Sequence, residues 1–182
     1  MSRAWPLKLY GARGRTTEHL YQAMRFSAHP DFQREVLSAN KPKAAKLIAR
    51  KYDELTRADW LDVRIDVMRW CLEIRLAQHL TRFGSLLEKS GERPIVEFSK
   101  RDTFWGAEPS GEGTLTGMNI LGNLLEELRT RWKAAQSIGP FEDLTVIPAP
   151  PIPDLYFLSL LVDIIHFNDD RTQPLLLSSD DI

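Results

Sequence analysis

Between residues 58 and 83 apolar side chains recur at helical spacing along two stripes, and no other feature restricts the fold as strongly. Trp60, Val63, Val67, Cys71 and Ile74 form one stripe, and Leu61, Ile65, Met68, Leu72 and Leu76 form the other. A helix with two apolar stripes is buried on more than one side, so several other elements have to pack around it. Shorter helices are predicted at residues 31–37 and 42–52. The second follows a start signal at Asn40 and Pro42 and carries Ala45, Leu47, Ile48 and Ala49 as its apolar part. At 182 residues the chain fits one domain with a substantial core.

Strand signals are few and short. Residues 5–9 alternate, with Gly11 and Gly14 marking the turn that follows. Residues 95–98 are β-branched and aromatic, released by Gly91 and Pro94. The expected fold class is therefore α+β, a predominantly helical single domain with a few short strands. Composition changes after Trp132, because Pro140, Pro148, Pro150, Pro151 and Pro153 account for five of the 11 prolines. This divides the chain into a domain over residues 4–136 and a Pro-rich C-terminal extension over residues 137–182. Within the extension, residues 155–167 read as a small helix or a strand that docks back on the body. Ser178, Ser179, Asp180 and Asp181 read as a loose acidic tail.

Charge and cysteine usage exclude some classes of function. Lysine and arginine total 24 against 25 acids, so no global basic field points to nucleic acid, and any such contact rests on a local patch such as Lys8, Arg13, Arg15 and Arg25. The single Cys71 lies on an apolar stripe and reads as a small core residue. The longest apolar run, residues 155–167, is broken by Ser159, Asp163 and His166, so no membrane span is expected. A cytoplasmic protein is the reading. The four histidines and one cysteine are scattered without ligand spacing, so neither a metal site nor a cofactor is expected.

Two stretches carry candidate chemistry. In the first, Thr16 or Thr17 caps a helix ending before Pro30, on which Glu18, Tyr21 or Gln22, and Arg25 share a face while Leu20, Ala23, Met24 and Phe26 pack elsewhere. A carboxylate, an amide and a cation are presented together, although a first-turn acid also serves simply to answer the helix dipole. In the second, Asp102 and Trp105 precede Gly106, Gly111, Gly113 and Gly117, and a helix follows with a seam at Leu121, Leu124, Leu125, Leu128 and Trp132. A glycine loop entering a helix N-terminus suits an anion, and it also simply turns the chain. Asn119 reads as a hydroxyl-binding amide or a helix cap, and Arg129 as a phosphate ligand or a structural ion pair. Arg57 and Arg64 on the long helix read as solvated charges or as phosphate ligands near a site.

These residues, in this order, resemble the NADAR family (NAD and ADP-ribose associated). The resemblance lies in the entry AWPLKLYGARGRTTEH followed by Tyr21, Gln22 and Phe26, and in Arg57, Trp60, Arg64 and Met68 on the long helix. It continues in a D-x-x-W-G element at Asp102, Trp105 and Gly106, and in Gly117, Asn119, Leu121, Gly122 and Arg129. The resemblance spans residues 4–136 and implies cleavage of an N-glycosidic bond to ribose, in a ribosyl phosphate of the riboflavin pathway or in an ADP-ribosyl conjugate, including ADP-ribosylated guanine in nucleic acid. It implies Glu18, Asp102 and Arg25 as catalytic residues, and Trp105, Gly106, Asn119, Tyr21, Gln22 and Arg129 as substrate-binding residues. An alternative is a non-catalytic ADP-ribose or nucleotide-binding module, or an antitoxin-like interaction protein. The chain departs from the family pattern at Arg25, where lysine is usual. Arginine keeps the charge but does not form a Schiff base. It also departs at its start, which lies beyond the family's usual first strand, a place that residues 155–167 are a candidate to fill.

Overall fold

The computed structural model describes residues 6–14, 16–111, 113–138 and 142–167. Ala4, Trp5, Arg15, Pro140 and the tail residues 178–181 lie outside them, as does the side chain of Arg13. The fold is α+β and mostly helical, and contacts gather the chain into two compact units, Met1–Gln78 with Glu142–Ile182, and His79–Phe141.

The first unit opens with a hairpin of β1 (Leu7–Leu9) and β2 (Ala12–Gly14), paired antiparallel. Gly11 takes the left-handed turn at φ 76, whereas Gly14 belongs to the return strand and not to the turn. Then come α1 (Thr17–Ala23), a 3-10 turn at Met24–Phe26, α2 (Pro30–Ser38), α3 (Pro42–Lys51), a second 3-10 turn at Asp53–Leu55, and α4 (Trp60–Gln78). Helix α1 packs against α2, α3 and α4. Leu20, Ala23, Met24 and Phe26 are buried there as their spacing predicts. Helix α3 starts from Lys41 rather than Asn40, and Leu47 is exposed while Ala45 and Ala49 form the buried contact. Small residues give a close helix approach, which explains why alanines and not leucine face inward.

Helix α4 buries both stripes from Val67 onward, through Val67, Met68, Cys71, Leu72, Ile74 and Leu76, while Leu61 in its first turn is 70% exposed. The helix ends at Gln78, short of the predicted residue 83. His79 leaves helical geometry at φ −135, and a π turn follows at Leu80–Gly84. The described part of the extension belongs to this unit, as α7 (Glu142–Thr145) and four two-residue strands. These are β5 (Val146–Ile147), paired with β8 (Ile165–His166), and β6 (Tyr156–Phe157), paired with β7 (Leu160–Leu161). It docks by burying Leu144, Ile147, Leu155, Phe157 and Ile165. Gln33 of α2 donates to Tyr156 O (2.9 Å) and accepts from Leu158 N–H (2.5 Å). None of these strands pairs with β1 or β2, so residues 142–167 dock without supplying a strand to the first hairpin.

The second unit contains the π turn, α5 (Ser85–Lys89), the hairpin β3 (Glu108–Gly111) with β4 (Thr114–Thr116), and α6 (Ile120–Ile138). A side chain at Gly84 would put its Cβ 2.5 Å from the Trp132 ring, so the glycine there permits α6 to lie against the turn. The predicted strand at residues 95–98 does not form, apart from one parallel bridge between Phe98 and Ala107. Ala107 alone pairs with it through the backbone, its N–H donating to Glu97 O at 2.9 Å, and side chains satisfy the rest of the bonds made here. Ile95 N–H donates to Glu126 Oε1 (2.7 Å), Glu97 N–H donates to Asn119 Oδ1 (3.0 Å), and Ile95 O accepts from Asn119 Nδ2 (2.8 Å).

Candidate functional site

The polar face predicted for the first helix forms, although Arg25 stands in the 3-10 turn that follows α1 and not in the α-helix itself. Glu18, Gln22 and Arg25 are one turn apart, and their side chains link in a single chain of hydrogen bonds. Gln22 Nε2 donates to Glu18 Oε1 at 3.0 Å, and Arg25 Nη1 donates to Gln22 Oε1 at 3.2 Å. The other guanidinium nitrogen of Arg25 donates to Thr56 Oγ1 at 2.9 Å and pairs with Asp53. Arg25 O also accepts Arg57 N–H at 2.9 Å, so the segment from Asp53 to Arg57 holds this residue by side chain and by backbone. Arg57 itself forks onto Asp59 and donates to Pro153 O (2.9 Å), which gives it a structural place.

Aromatic and ionisable neighbours complete the cluster. The rings of Tyr21 and Trp60 lie 5.0 Å apart, and the Arg25 guanidinium carbon is 5.9 Å from the ring centres of both Trp60 and Phe26. Burial pushes the Tyr21 hydroxyl well above its ordinary range, with the Glu18 charge adding to this and Arg64 and Arg25 opposing it. Cys71 is wholly buried, and its thiol is pushed up first by burial and then by Glu18. Glu18 is half-buried. His19, beside it, is fully buried as a strut. Its Nε2 meets Ala39 O at 3.0 Å and so donates, which leaves Nδ1 to accept from Thr16 Oγ1 at 2.8 Å.

The second predicted stretch has a different character from the open anion loop its glycines suggested. The N–H groups of Asn119, Ile120 and Leu121, at the start of α6, donate to Gly106 O (3.2 Å), Phe104 O (3.2 Å) and Trp105 O (3.0 Å), and Met118 N–H donates to Thr103 O (2.7 Å). The chain's own carbonyls take the N–H groups of residues 118–121, so these four are not left open to a phosphate. Gly111 lies in the β3–β4 hairpin with Gly113 in its connection, and Gly106 and Gly117 serve close packing. A Cβ at Gly106 would stand 2.5 Å from Glu97 O, and one at Gly117 would stand 2.5 Å from Gly106 O. Asp102 Oδ1 accepts Trp105 N–H at 3.0 Å, which shapes the turn that presents the half-buried Trp105 edge-on to Phe104, with ring centres 5.0 Å apart. Asn119, at φ 50, spends its amide on the backbone of residues 95 and 97 rather than on its helix. Arg129 is buried and donates to Ser90 Oγ (2.8 Å) and Arg93 O (2.7 Å), so it tethers the 90–93 turn.

The structure thus brings together Glu18, Tyr21, Gln22 and Arg25 in the first unit. Asp102, Trp105, Gly106 and Asn119 share the loop framework of the second, with Arg129 farther along α6. Asp53 and Thr56 were missed in the sequence, since nothing local links a 3-10 turn to a side chain some 30 positions earlier. Arg64 and Trp60 were visible as a helical pair. A separate recess of about 200 Å³, lined by Asp66, Arg69, Trp70, Glu73 and residues 148–151, contains none of the expected site residues. Among the described residues no group of three or more His, Cys, Asp or Glu side chains is placed to hold a metal ion. No described helix is long and apolar enough to cross a membrane.

The profile of the NADAR domain matches residues 5–133. The chain belongs to the NADAR family. Among its relatives, the N-glycosidase YbiA of Escherichia coli (strain K12) is 32% identical over 126 residues, which are 69% of this chain and 75% of that protein. The riboflavin biosynthesis protein VVA0006 of Vibrio vulnificus is 30% identical over 138 residues, 76% of this chain but 35% of that longer protein. The NMR structure of E. coli YbiA superposes with a TM-score of 0.64 at 30% identity, covering 75% of this chain and 78% of that one. The NADAR fold is therefore shared across most of the chain, and these names support an N-glycosidase family.

Proposed function

We propose that this NADAR protein hydrolyses the N-glycosidic bond of a small phosphorylated riboside of the riboflavin-intermediate type, with Glu18 as the reacting carboxylate. The observation that carries the reading is the Glu18–Gln22–Arg25 chain, which fixes one carboxylate oxygen of a half-buried acid and leaves the carboxylate oriented. The relatives named as N-glycosidases and as riboflavin biosynthesis proteins support the bond and the substrate class.

Cleavage at C1′ of ribose develops positive charge on the sugar, and a fixed carboxylate stabilises that charge without reorganising. The C1′–N bond breaks with its electron pair moving to nitrogen, which takes a proton from solvent. Water then supplies the oxygen at C1′, and Glu18 accepts the proton that water loses. An arginine side chain forms no imine, so the reaction is written as direct hydrolysis and not through a lysine-type adduct.

The test is turnover of a ribosylaminopyrimidine phosphate by the purified protein, with release of ribose 5-phosphate followed by chromatography. A guanine nucleotide carrying ADP-ribose is assayed in parallel. Glu18→Gln is expected to lower the rate by about 100-fold or more, the scale for losing one preorganised electrostatic group. Full activity in Glu18→Gln removes that residue from the mechanism. Turnover of the ADP-ribosyl substrate alone overturns the substrate class, and calorimetric binding without turnover of either favours a binding module.

A further inference from the structure

Arginine donates hydrogen bonds and never accepts them. This elementary fact sets the direction of every bond in the α1 cluster. Because Arg25 Nη1 meets the Gln22 amide, the atom facing it has to be the carbonyl Oε1, and the amide NH2 is then turned toward Glu18. A donor facing Glu18 Oε1 favours the ionised carboxylate over the acid. The orientation of a buried glutamine is therefore decided three residues away, by which end of its amide a cation occupies.

Arg25 is in turn held from outside α1. Its side chain is 11% exposed, while its partner Asp53 is 72% exposed on the turn after α3. Thr56 Oγ1 accepts from the same nitrogen as Asp53, and Arg57 N–H closes on Arg25 O. Glu18 and Arg25 act on the same neighbour with opposite sign, Glu18 raising and Arg25 lowering the Tyr21 hydroxyl, and Glu18 also raises the Cys71 thiol. Among the described residues, Arg25 just beyond the helix and Arg64 of α4 act on Tyr21 together with Glu18, and the Asp53 carboxylate faces Arg25.

We infer that Arg25 is a positioning residue, which acts on Glu18 through the Gln22 amide and is itself set in place by Asp53 and Thr56. Arg25 does not need to touch the reacting atoms, and a cation of either type at this position fulfils the role, which is why arginine can stand where relatives' pattern has lysine. The consequence for catalysis rests on the reading of Glu18 as the reacting carboxylate. The relay itself is tested without substrate.

The experiment is carboxyl-carbon NMR titration of Glu18 in the full chain, with the Gln22 side-chain amide signals followed in the same samples. Arg25→Met removes the donors and keeps the length. It is expected to move the Glu18 midpoint upward and to shift the Gln22 amide signals, and Arg25→Lys is expected to restore both. Asp53→Asn, at an exposed position that tolerates change, is expected to shift the Gln22 signals in the same sense by less. The decisive comparison is a double-mutant cycle. In a Gln22→Met background, Arg25→Met should no longer move the Glu18 midpoint. An undiminished shift in that background means that the charge acts through space, and it overturns the relay. Unchanged Glu18 and Gln22 signals in both Arg25→Met and Asp53→Asn overturn it equally. Should the relay hold while Glu18→Gln retains full turnover, the functional assignment of Glu18 fails and the positioning network stands.

Discussion

Replacing Gly122 by alanine sets two physical effects of opposite sign against each other. Gly122 lies in the first turn of α6, within the helix, where alanine is favoured over glycine by about 1 kcal/mol on helix propensity alone. Propensity therefore predicts a more stable protein. The surroundings predict the reverse. A Cβ on Gly122 would stand closer than 3.0 Å to Ile95 O and to both terminal atoms of the Asn119 amide. Asn119 cannot move aside without releasing Glu97 N–H and Ile95 O, bonds of 3.0 and 2.8 Å. Losing two such bonds at a buried amide costs roughly 2–3 kcal/mol, and forcing a methyl into a packed contact adds about 1–3 kcal/mol. After the propensity gain is subtracted, Gly122→Ala is expected to destabilise by about 2–5 kcal/mol. For a chain of this size each kcal/mol corresponds to about 2–4 °C in Tm. Thermal and urea denaturation followed by circular dichroism give the measurement. The cost should fall when Asn119 is already alanine, because two of the three crowded atoms are then gone. An unchanged or higher Tm for Gly122→Ala would refute the claim that this motif glycine exists for close packing.

Other outcomes follow from the same contacts. Gln33→Leu strands Tyr156 O and Leu158 N–H, so residues 142–167 should become more susceptible to limited proteolysis while α1 retains its hydrogen-exchange protection. The Cys71 thiol is raised in the folded protein above its ordinary value near 9.0, by burial first. Its neutral form is the stabilised one, so this contribution is complete below the unfolded-state value and is lost as pH rises beyond it. Cys71→Ala should flatten the alkaline fall in urea midpoints, and alkylation of Cys71 at pH 8 should require unfolding. Asp59 shows the opposite sign. The hydrogen bond from Arg57 holds its carboxyl below the usual range, so its contribution is present above the unfolded-state value and is lost as pH falls through the folded one. Asp59→Asn should remove part of the acid-side loss of stability.

Residues close together in the chain were legible where a single helical period governs them. The face shared by Glu18, Gln22 and Arg25 is a property of 3.6 residues per turn, and it survives in the structure as hydrogen bonds at the predicted spacing. The burial of Leu20, Met24, Val67, Cys71 and Ile74 was legible for the same reason. Legibility failed where one segment's backbone is satisfied by another segment's side chain. Residues 95–98 have the composition of a strand, yet beyond the single bridge to Ala107 it is Asn119 and Glu126 that satisfy their backbone. Likewise Gly106 and Gly117 look like a flexible anion loop until the carbonyls of residues 103–106 are seen to occupy the N–H groups of residues 118–121.

What the sequence determined by itself is the helical plan, the α1 chemical face and, through ordered motifs, membership of the NADAR family. Each of these depends on local period or on linear order, and both are written in the chain. Only the tertiary structure decided what holds Arg25, why Gly106, Gly117 and Gly122 have no side chains, and where the extension docks. Those answers depend on atoms brought within about 3 Å from positions tens of residues apart, and no local rule carries that information. Asp53 became part of the candidate site only when folding closed the 28-residue separation between it and Arg25.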